Sequence, residues 1–586
     1  MDHKCIINKY FTFNTYKFFS NRADKLDAGE DLGGKQTMTV NIDNHLLEAA
    51  DGAQYRDLIP LLYPEDPRRV LGVSVHGKTL PLNARAEDGV GAETLNYKHE
   101  EGARIYERSV RFVLLLAIRE LFPEARVRME NTTQTGLYAR LMGVNLTASM
   151  VRQIEGRMRE LVDADLPFEK KVITRAEAIR YFEREGQMDK VQLLKYRPFE
   201  HFQLYKCGEM LEYFYGEMAP STGYTPVFKL DFYMPGLALS LPDPQDPSRP
   251  AKFRDQPKLM RCFDESARWA EILGCENAAD LNEMVAGRRL REFIRINEAL
   301  HERSINQIAD EFLKSGAQLI LVAGPSSSGK TTFAHRLRIV LQARGLKPHK
   351  LSLDDYYIDR ERIPVDESGE VDLERIDTLD LPLFNEHLVR LMQGEAVEAP
   401  IFDFPTGKRL AQMHTVRVED GQPILVEGIH ALNDQLTSEV PHGSKFLIYV
   451  SALTTLNLDD HNRIRTTDAR LLRRMVRDFN FRGTKPEETL AMWPSVRRGE
   501  ANYIFPHQEK ADIMFNTSLV YELAILKKYA YPMLCEIPPE SPHFTRARSL
   551  VKFLNYIQTA DVEDEIPINS ILREFIGGSC FYREDD

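Results

Sequence analysis

The sequence predicts a multidomain protein whose C-terminal half is an α/β domain built on a parallel sheet. With 586 residues, the chain is long enough for about four domains at roughly 150 residues each. From residue 317 onward, strand-like and helical segments alternate, which is typical of a parallel sheet covered by helices. Before residue 240, the segments instead form a small mixed α/β module followed by an α+β domain.

The domain boundaries follow from composition and hydrophobic periodicity. The Pro- and Asp-rich stretch 241–257 is the clearest linker, and a Gly/Asp/Lys-rich stretch precedes Met38. Residues before Met38 are either an upstream extension or a flexible tail. We predict an N-terminal extension at 1–37, a small module at 38–98, an α+β domain at 99–240, a linker and helical connector at 241–316, the α/β domain at 317–535, and a C-terminal helical extension at 536–586.

Composition and charge exclude several classes of protein. Hydrophobic residues make up 43% and charged residues 28%, which is ordinary for a globular chain and not for a fibrous or disordered one. The net charge of −12 gives no global attraction for nucleic acid, although a local basic patch stays open. The longest apolar run, Phe112 to Ile118, is far shorter than the roughly 20 residues that span a bilayer. Six widely spaced cysteines without a CxxC pair predict reduced thiols and a cytoplasmic protein.

One loop carries a specific phosphate-binding motif. Residues 324–331 fit GxxxxGK[ST] and lie between an apolar strand, Leu319 to Ala323, and a helical pattern. Backbone N–H groups of such a loop cradle phosphates, Lys330 reaches the β- and γ-phosphates, and the Thr331 hydroxyl binds Mg²⁺. The motif therefore predicts ATP or GTP binding. The predicted nucleotide-binding residues are Gly324, Pro325, Ser326, Ser327, Ser328, Gly329, Lys330, Thr331 and Thr332.

Two more predicted strands end in carboxylates. The second strand ends at Asp354 and Asp355, and the third ends at Glu427. Ligands of an open parallel sheet bind beyond the carboxyl ends of its strands. Asp354 is therefore a candidate base for an attacking hydroxyl, with helix capping or Mg²⁺ ligation as alternatives. We expect Glu427 to hold the metal or its waters.

A run of arginines follows the last predicted core strand. Arg470, Arg473, Arg474 and Arg477 share one helical face by their spacing. Such a stripe is either a solvated face or a lid whose arginines stabilise a transferring phosphoryl group and exclude water.

Together, the motifs of residues 317–530 resemble the uridine kinase and phosphoribulokinase family of P-loop kinases. They are GPSSSGKT, LSLDDYY, ERIDTLD, APIFDFPTGKR, PILVEGIHAL, RTTDARLLRRMVRD and EKADIMFN. The resemblance implies ATP and Mg²⁺ as cofactors and Asp354 as the base. It places Lys330, Arg470 and Arg473 at the phosphates, and Glu374, or alternatively Asp372, at the ribose. The implied substrate-binding residues are Asp354, Tyr357, Glu374, Phe402, Phe404, Arg409 and Arg470, and the implied metal ligands are Thr331 and Glu427.

The chain departs from that family pattern at two positions. Gly407 stands where the family has a base-reading His, and Glu374 stands where it has an Asp for the ribose. Without a side chain that hydrogen-bonds to the nucleobase, we expect the protein to discriminate less between bases. Hydrogen bonds to the polar edge of a base give more selectivity than apolar packing does. We therefore expect an ATP-dependent nucleoside kinase acting on a sugar hydroxyl, with the base left open. The alternatives are a kinase of another small hydroxyl metabolite and a nucleotide-gated RNA-binding protein.

The N-terminal half resembles the front end of threonyl-tRNA synthetase. Residues 38–98 resemble its TGS module, and residues 99–240 resemble its second additional, or editing, domain. The matching segments are YERSVRFVLLLAIRELFP, DLPFEK and GEMAPSTGY followed by FKL. The editing HxxxH aligns with Arg108 and Phe112, and the later Cys and His align with Tyr215 and Met218, which implies loss of aminoacyl hydrolysis. The domain then binds RNA, a small ligand or a partner, or serves as a dimerisation scaffold, and a homo-oligomer is a further expectation.

The whole arrangement resembles a bacterial nucleoside kinase subgroup often labelled uridine kinase. That resemblance extends from Met38 to the C-terminal segment SILREFIGGSCF. We expect the C-terminal segment to pack as helical caps against the kinase-like domain.

Overall fold

The computed structural model describes residues 37–133, 135–363, 374–403 and 406–582, and its first domain is a five-stranded sheet with one short helix. The strand order is β2-β1-β5-β3-β4, and only the β1–β5 pairing is parallel. Strand β1 alternates exposed and buried residues, because one face of the sheet covers a core around Val40, Tyr55 and Val73. The elements are β1 (Thr37–Ile42), β2 (His45–Ala50), α1 (Tyr55–Leu62), β3 (Val70–Val75), β4 (Lys78–Leu80) and β5 (Gly91–Asn96).

The second domain is built around a helix that is buried along most of its length. Helix α2 runs from Glu100 to Leu121, and every residue from Ser109 to Ile118 is buried. It packs with a four-stranded antiparallel sheet of order β11-β12-β7-β6 and lies beside a three-stranded sheet of order β10-β9-β8. The further elements are β6 (Arg126–Thr132), β7 (Gly136–Met142), α3 (Ala148–Asp163), β8 (Glu169–Thr174), α4 (Arg175–Arg184), α5 (Met188–Lys195), β9 (His201–Cys207), β10 (Met210–Glu212), β11 (Lys229–Tyr233) and β12 (Gly236–Ser240).

Three helices connect this domain to the C-terminal α/β domain. They are α6 (Pro257–Ile272), α7 (Ala278–Ala286) and α8 (Leu290–Ser315). Helix α8 buries Phe293, Ile305 and Phe312 against the same core as the C-terminal sheet. The predicted helical connector therefore contributes to the core of the α/β domain.

The C-terminal domain is a five-stranded parallel sheet, as the alternating sequence pattern predicts. Its order is β14-β19-β13-β20-β21, so the strand before the phosphate loop is central. Two small antiparallel pairs, β15–β18 and β16–β17, lie beside it. The elements are β13 (Leu319–Ala323), α9 (Lys330–Gln342), β14 (His349–Ser352), α10 (Leu381–Met392), β15 (Val397–Ala399), β16 (Phe402–Asp403), β17 (Lys408–Arg409), β18 (His414–Val416), β19 (Ile424–Glu427), β20 (Lys445–Ser451), α11 (Thr466–Arg482), α12 (Pro486–Gly499) and β21 (Ile513–Asn516).

The C-terminal extension packs into the core of the α/β domain. It follows α13 (Glu522–Cys535) and contains α14 (Phe544–Leu554) and the short α15 (Arg573–Ile576). Leu550, Ile571 and Phe575 are fully buried in a core that also contains Phe333 of α9. Across the described ranges, we find no helix that combines the length and the apolarity needed to cross a bilayer.

Candidate active site

The phosphate loop joins the buried central strand β13 to helix α9 through a tight turn. Ser327 and Gly329 take left-handed backbone conformations, with φ of 57° and 81°. A Cβ at Gly324 would collide with the carbonyl oxygen of Val450, and one at Gly329 would lie 2.5 Å from Ile571. Glycine is therefore required at both ends of the loop for steric reasons.

The functional groups of three strand ends meet at this loop. Lys330 donates to the carbonyl oxygen of Pro325 at 3.1 Å, and Thr331 donates to the Glu427 carboxylate at 3.1 Å. Lys350, at the start of β14, lies 3.6 Å from the same carboxylate. Burial lowers the pKa of Lys330, and the nearby Glu427 partly offsets this effect. The Thr331 hydroxyl and the Glu427 carboxylate are the hard oxygen ligands that Mg²⁺ prefers, so these residues fit the predicted metal.

Asp354 lies directly after β14 and faces the same cleft. Its backbone N–H donates to the Ser352 hydroxyl at 3.3 Å, which fixes the turn. Although Asp354 keeps an exposed surface, the surrounding protein partly removes water from its carboxyl group. This effect and the charge of Glu427 raise the pKa of Asp354 to about 6, against the opposing effect of Lys330. A carboxylate with this pKa, beside the phosphate loop, is suited to accept a proton near neutral pH.

The residues predicted to bind the phosphoryl-acceptor substrate lie near Asp354. The Tyr357 and Phe402 rings are 5.6 Å apart at a tilt of 49°. Burial, then the charges of Asp354 and Glu374, raise the pKa of Tyr357, so these groups share one region. Glu374 packs over Gly499, where a Cβ would collide with the Glu374 side chain. The predicted residues Phe404 and Asp372 lie outside the described residues.

Arg409 stabilises the region predicted to bind the substrate through hydrogen bonds to other protein groups. Its guanidinium donates to the carbonyl oxygens of Tyr357 at 2.8 Å and Tyr356 at 2.9 Å, and to the Asp380 carboxylate at 3.0 Å. Arg409 therefore holds the turn that carries Tyr357, and its contact with a substrate stays a prediction.

Helix α11 places its arginines differently from the predicted pair at the phosphates. Arg470 is buried, donates to the Ser326 carbonyl oxygen at 2.7 Å, and pairs with Glu500. Arg473 is fully buried and pairs with Glu522 while donating to the Thr517 carbonyl oxygen at 2.8 Å. Both are bound to carboxylates and carbonyl oxygens of the protein, which offsets the cost of burying a charged group. Arg470 thus holds the phosphate loop through a backbone carbonyl, and Arg473 is held by Glu522 and Thr517. A contact of Arg473 with the phosphates stays a prediction.

Comparison with known proteins gives the family of this domain. Residues 319–523 match the Phosphoribulokinase / Uridine kinase family. This match confirms the resemblance of the C-terminal α/β domain to that family, which the sequence motifs predicted.

Curated relatives match a different part of the chain. The threonine–tRNA ligase of Ehrlichia ruminantium strain Gardel is 29% identical over 190 residues, which is 32% of this chain and 30% of the ligase. That of Nitratidesulfovibrio vulgaris strain DP4 is 29% identical over 196 residues, which is 33% of this chain and 30% of the ligase. The N-terminal region carries this similarity. This chain therefore spans about a third of the length of these relatives.

A solved structure described as a possible uridine kinase from Bacillus stearothermophilus aligns with this chain at 16% identity. The alignment covers 36% of this chain and 97% of that chain, with a TM-score of 0.26. The structure of the YGR205w protein aligns at 14% identity over 34% of this chain and 83% of its own, with a TM-score of 0.23.

The kinase domain also contains arginines near the cleft that were not among the predicted site residues. Arg474 donates to the Ser326 hydroxyl at 2.9 Å. Arg474, Arg477 and Arg482 all lie against the single carboxylate of Asp478, so positive charge is in excess there. The helical stripe in the sequence included Arg474 and Arg477, but spacing alone did not distinguish them from the buried pair.

The C-terminal segment reaches the phosphate loop of the kinase domain. Glu574 accepts a hydrogen bond of 2.6 Å from the Thr332 hydroxyl. The Tyr582 hydroxyl also lies 3.5 Å from the Thr332 hydroxyl. Phe581 stacks on His335 with ring centroids 5.1 Å apart. We call residues 570–582 the C-terminal cover. No motif in the sequence indicated this contact.

The four positions aligned with the synthetase editing residues fall in two environments. Phe112 packs in the core, with ring centroids 5.5 Å from Phe168, and Met218 is buried in the same cluster. Arg108 and Tyr215 instead line a small cavity. Within the described ranges, no cluster of three or more His, Cys, Asp or Glu side chains suits a metal ion.

Proposed function

We propose that this protein is an ATP-dependent kinase that transfers the γ-phosphoryl group of ATP to a sugar hydroxyl of a nucleoside. The observation that carries the proposal is the convergence of Lys330, Asp354 and the Thr331–Glu427 pair at the carboxyl ends of adjacent parallel strands. Such an arrangement supplies a phosphate cradle, a base and oxygen ligands for a cation in one cleft. The family of the kinase domain supports phosphoryl transfer.

In this proposal, charge neutralisation at the transferred phosphoryl group comes from cationic side chains. Lys330 stabilises the β- and γ-phosphates, and Arg474 brings positive charge to the same loop through the Ser326 hydroxyl. Thr331 and Glu427 would hold Mg²⁺, which would supply positive charge that neutralises the charge developing on the phosphates. Arg470 keeps the loop in place through the Ser326 carbonyl oxygen.

Asp354 orients the acceptor hydroxyl and takes its proton as the oxygen attacks phosphorus. This role needs the ionised carboxylate, which is the main form above a pKa of about 6. Most of the rate enhancement then comes from positioning and electrostatics rather than from covalent chemistry.

A nucleoside acceptor is favoured by the aromatic pair beside Asp354. Tyr357 and Phe402 offer faces against which a base can pack. At Gly407 the backbone is left-handed, with φ of 68°, and a Cβ would lie 2.9 Å from Arg360, so the position offers no side chain for reading a base edge. We therefore expect phosphorylation of several nucleosides with modest differences in kcat/KM.

A phosphoryl-transfer assay tests the proposal. The full-length protein is incubated with Mg-ATP and a panel of nucleosides, sugars and sugar phosphates, and products are identified by mass. Lys330→Ala should abolish transfer, because it removes the cation at the phosphates. Lys347→Ala is the matched control, since this exposed lysine lies on the same domain after α9.

The outcome separates the competing functions. Transfer to nucleosides that is lost only in Lys330→Ala supports the proposal. Transfer only to sugars or sugar phosphates assigns another small hydroxyl substrate. ATP binding with no acceptor, together with salt-dependent RNA binding that ATP changes, supports the nucleotide-gated RNA-binding alternative.

A further inference from the structure

A small cavity lies where the second domain meets the kinase domain. It is formed by α2, the segment 458–468 that leads into α11, and α14. Its volume is about 80 Å³, whereas a water molecule occupies roughly 30 Å³ in the liquid. We call it the arginine cavity because five arginines line it: Arg104, Arg108, Arg111, Arg463 and Arg465.

Several donors of the arginine cavity have no hydrogen-bond partner among the residues that the structure describes. These are Nε of Arg104, Nη2 of Arg108, Nε of Arg111 and Nε of Arg463, and the Asn462 Oδ1 acceptor in the same lining is also unpartnered there. Arg108 and Arg111 are each only 6% exposed. A buried N–H without a partner is costly, and the cost is higher for a charged group. The protein therefore presents donors that an acceptor within the cavity would satisfy.

Carboxylates around the cavity do not balance its arginines. Glu107 accepts from Arg465 at 2.7 Å and lies 3.8 Å from Arg111. Asp468 is engaged by Arg546 from α14, and Glu100 and Glu101 are both engaged by Arg104. Counting Arg546, six guanidinium groups face these four carboxylates. Asp459 and Glu212 also act on Arg111, but both lie against Lys190, so positive charge stays in excess around the cavity.

The pKa values of Arg108 and Arg463 agree with an excess of positive charge around these two groups. Burial lowers the pKa of Arg108 to about 10, with Arg465 adding to the effect and Glu101 opposing it. Burial likewise lowers the pKa of Arg463 to about 10, with Arg465 adding and Glu107 opposing. An anion in the cavity would relieve the repulsion among these groups.

We propose that the arginine cavity binds a phosphate group, either as the free ion or as a monoester. A phosphate group fits the excess of positive charge, and it offers more acceptor oxygens to the unpartnered donors than a single carboxylate does. Its oxygens point in several directions, and the unpartnered donors come from two opposed elements, α2 and the segment before α11. The volume suits one such group.

The site is separate from the phosphate loop and is physically connected to it. Arg465 is the N-cap residue of α11, and α11 carries Arg470 and Arg474, which both contact Ser326. The phosphate loop is the other expected phosphate site on the protein. An experiment must therefore show at which residues added phosphate slows the exchange of backbone amide hydrogens.

Hydrogen–deuterium exchange of the full-length protein provides that resolution. Inorganic phosphate is titrated at constant ionic strength into wild type and into Lys330→Ala. We expect both proteins to show slower exchange at residues 213–218 and 458–468. A glycerol 3-phosphate arm distinguishes a monoester from the free ion, and a malonate arm tests a carboxylate ligand.

Variants of the cavity decide the assignment. Arg108→Gln and Arg463→Gln should each weaken the protection by about tenfold or more, since each removes a charge-assisted donor. Arg119→Gln is the matched control, because Arg119 lies on the same helix, is 37% exposed and pairs with Glu185 instead. Gly216 packs on the Arg108 guanidinium, so Arg108→Gln could fail to fold. In that case Arg463→Gln alone tests the assignment, since Arg463 is only half-buried.

Other outcomes overturn the proposal. Protection limited to residues 324–332, protection that survives in Arg463→Gln, or stronger protection by malonate than by phosphate would each remove the phosphate site from this cavity.

Discussion

At the scale of single residues, Asp354 is the group whose protonation the proposed chemistry depends on. Because its pKa is raised to about 6, the carboxylate is mostly protonated below that pH and ionised above it. We expect kcat/KM to rise about tenfold per pH unit below pH 6 and to level off above it. A pH–rate profile at saturating ATP measures this, and a flat profile across pH 5–7 would contradict the base role.

Substitution of the same residue gives a second measurement of that role. Asp354→Asn should lower kcat by about 10²- to 10⁴-fold while the Kd for ATP stays close to that of wild type. Asp355→Asn is the matched control, since it changes the neighbouring carboxylate and should keep most of the activity. Equal losses in the two variants would argue for general damage to the turn after β14.

Arg473 shows where spacing in the sequence was insufficient. The periodicity of α11 placed four arginines on one face, but a periodic pattern does not reveal that Glu522 and Thr517 lie behind the helix. We expect Arg473→Gln to lower the free energy of unfolding by about 3–5 kcal/mol, because it leaves Glu522 buried without its partner. Arg498→Gln, an exposed control on α12, should change it little. Denaturant unfolding measures the free energy of unfolding of both variants. If Arg473→Gln is as stable as wild type but has a lower kcat, Arg473 acts on the phosphoryl group as the lid prediction states.

At the scale of elements, the C-terminal cover sets the charge around the phosphate loop. Glu574 accepts from Thr332 and adds a negative charge near Lys330. This charge opposes the binding of a triphosphate. We expect Glu574→Gln to tighten ATP binding by about 3- to 10-fold, a change of about 1 kcal/mol for partly screened charges. Calorimetric titration with Asp564→Asn as the control tests it, and weaker binding in Glu574→Gln would show that the cover assists the nucleotide.

The elements themselves were predictable to different degrees. Strand β13, the phosphate loop and α9 were predicted from local sequence, because a buried parallel strand and a Gly-rich turn each leave a continuous signal. The contact of Glu574 with Thr332 could not be predicted, since a hydrogen bond between residues 242 positions apart leaves no periodic pattern. The arginine cavity was missed for the same reason: its donors come from α2 and from the segment before α11.

At the scale of the whole molecule, a buried charge network joins the second domain to the kinase domain. Lys190 on α5 bonds to Glu212 at 2.8 Å and to His461 of the kinase domain at 2.8 Å. Met129 also donates to the Asp460 carbonyl oxygen at 2.8 Å. Burial alone would raise the pKa of Glu212, but Lys190 and His461 lower it to about 2.

This network predicts how stability depends on pH. The stability from Glu212 is fully present above its ordinary pKa of 4.5 and is lost as the pH falls toward 2. Lys190→Ala should cost about 3–5 kcal/mol at neutral pH, because Glu212 is left buried with one partner fewer. It should also flatten the loss of stability between pH 4.5 and 2. Denaturant unfolding against pH measures both effects, with the exposed Lys195→Ala on the same helix as the control. A variant as stable as wild type would show that the junction tolerates the unpaired charge.

The contact between the phosphate loop and the C-terminal cover has a consequence for the nascent chain. Thr332 and Glu574 are 242 residues apart, so at about 5–20 residues per second a ribosome needs roughly 12–50 seconds to pass from one to the other. All five strands of the kinase sheet are synthesised before Glu574 is. During this interval the growing chain carries a phosphate loop without its cover, so a nucleotide would meet the loop without Glu574 beside Thr332.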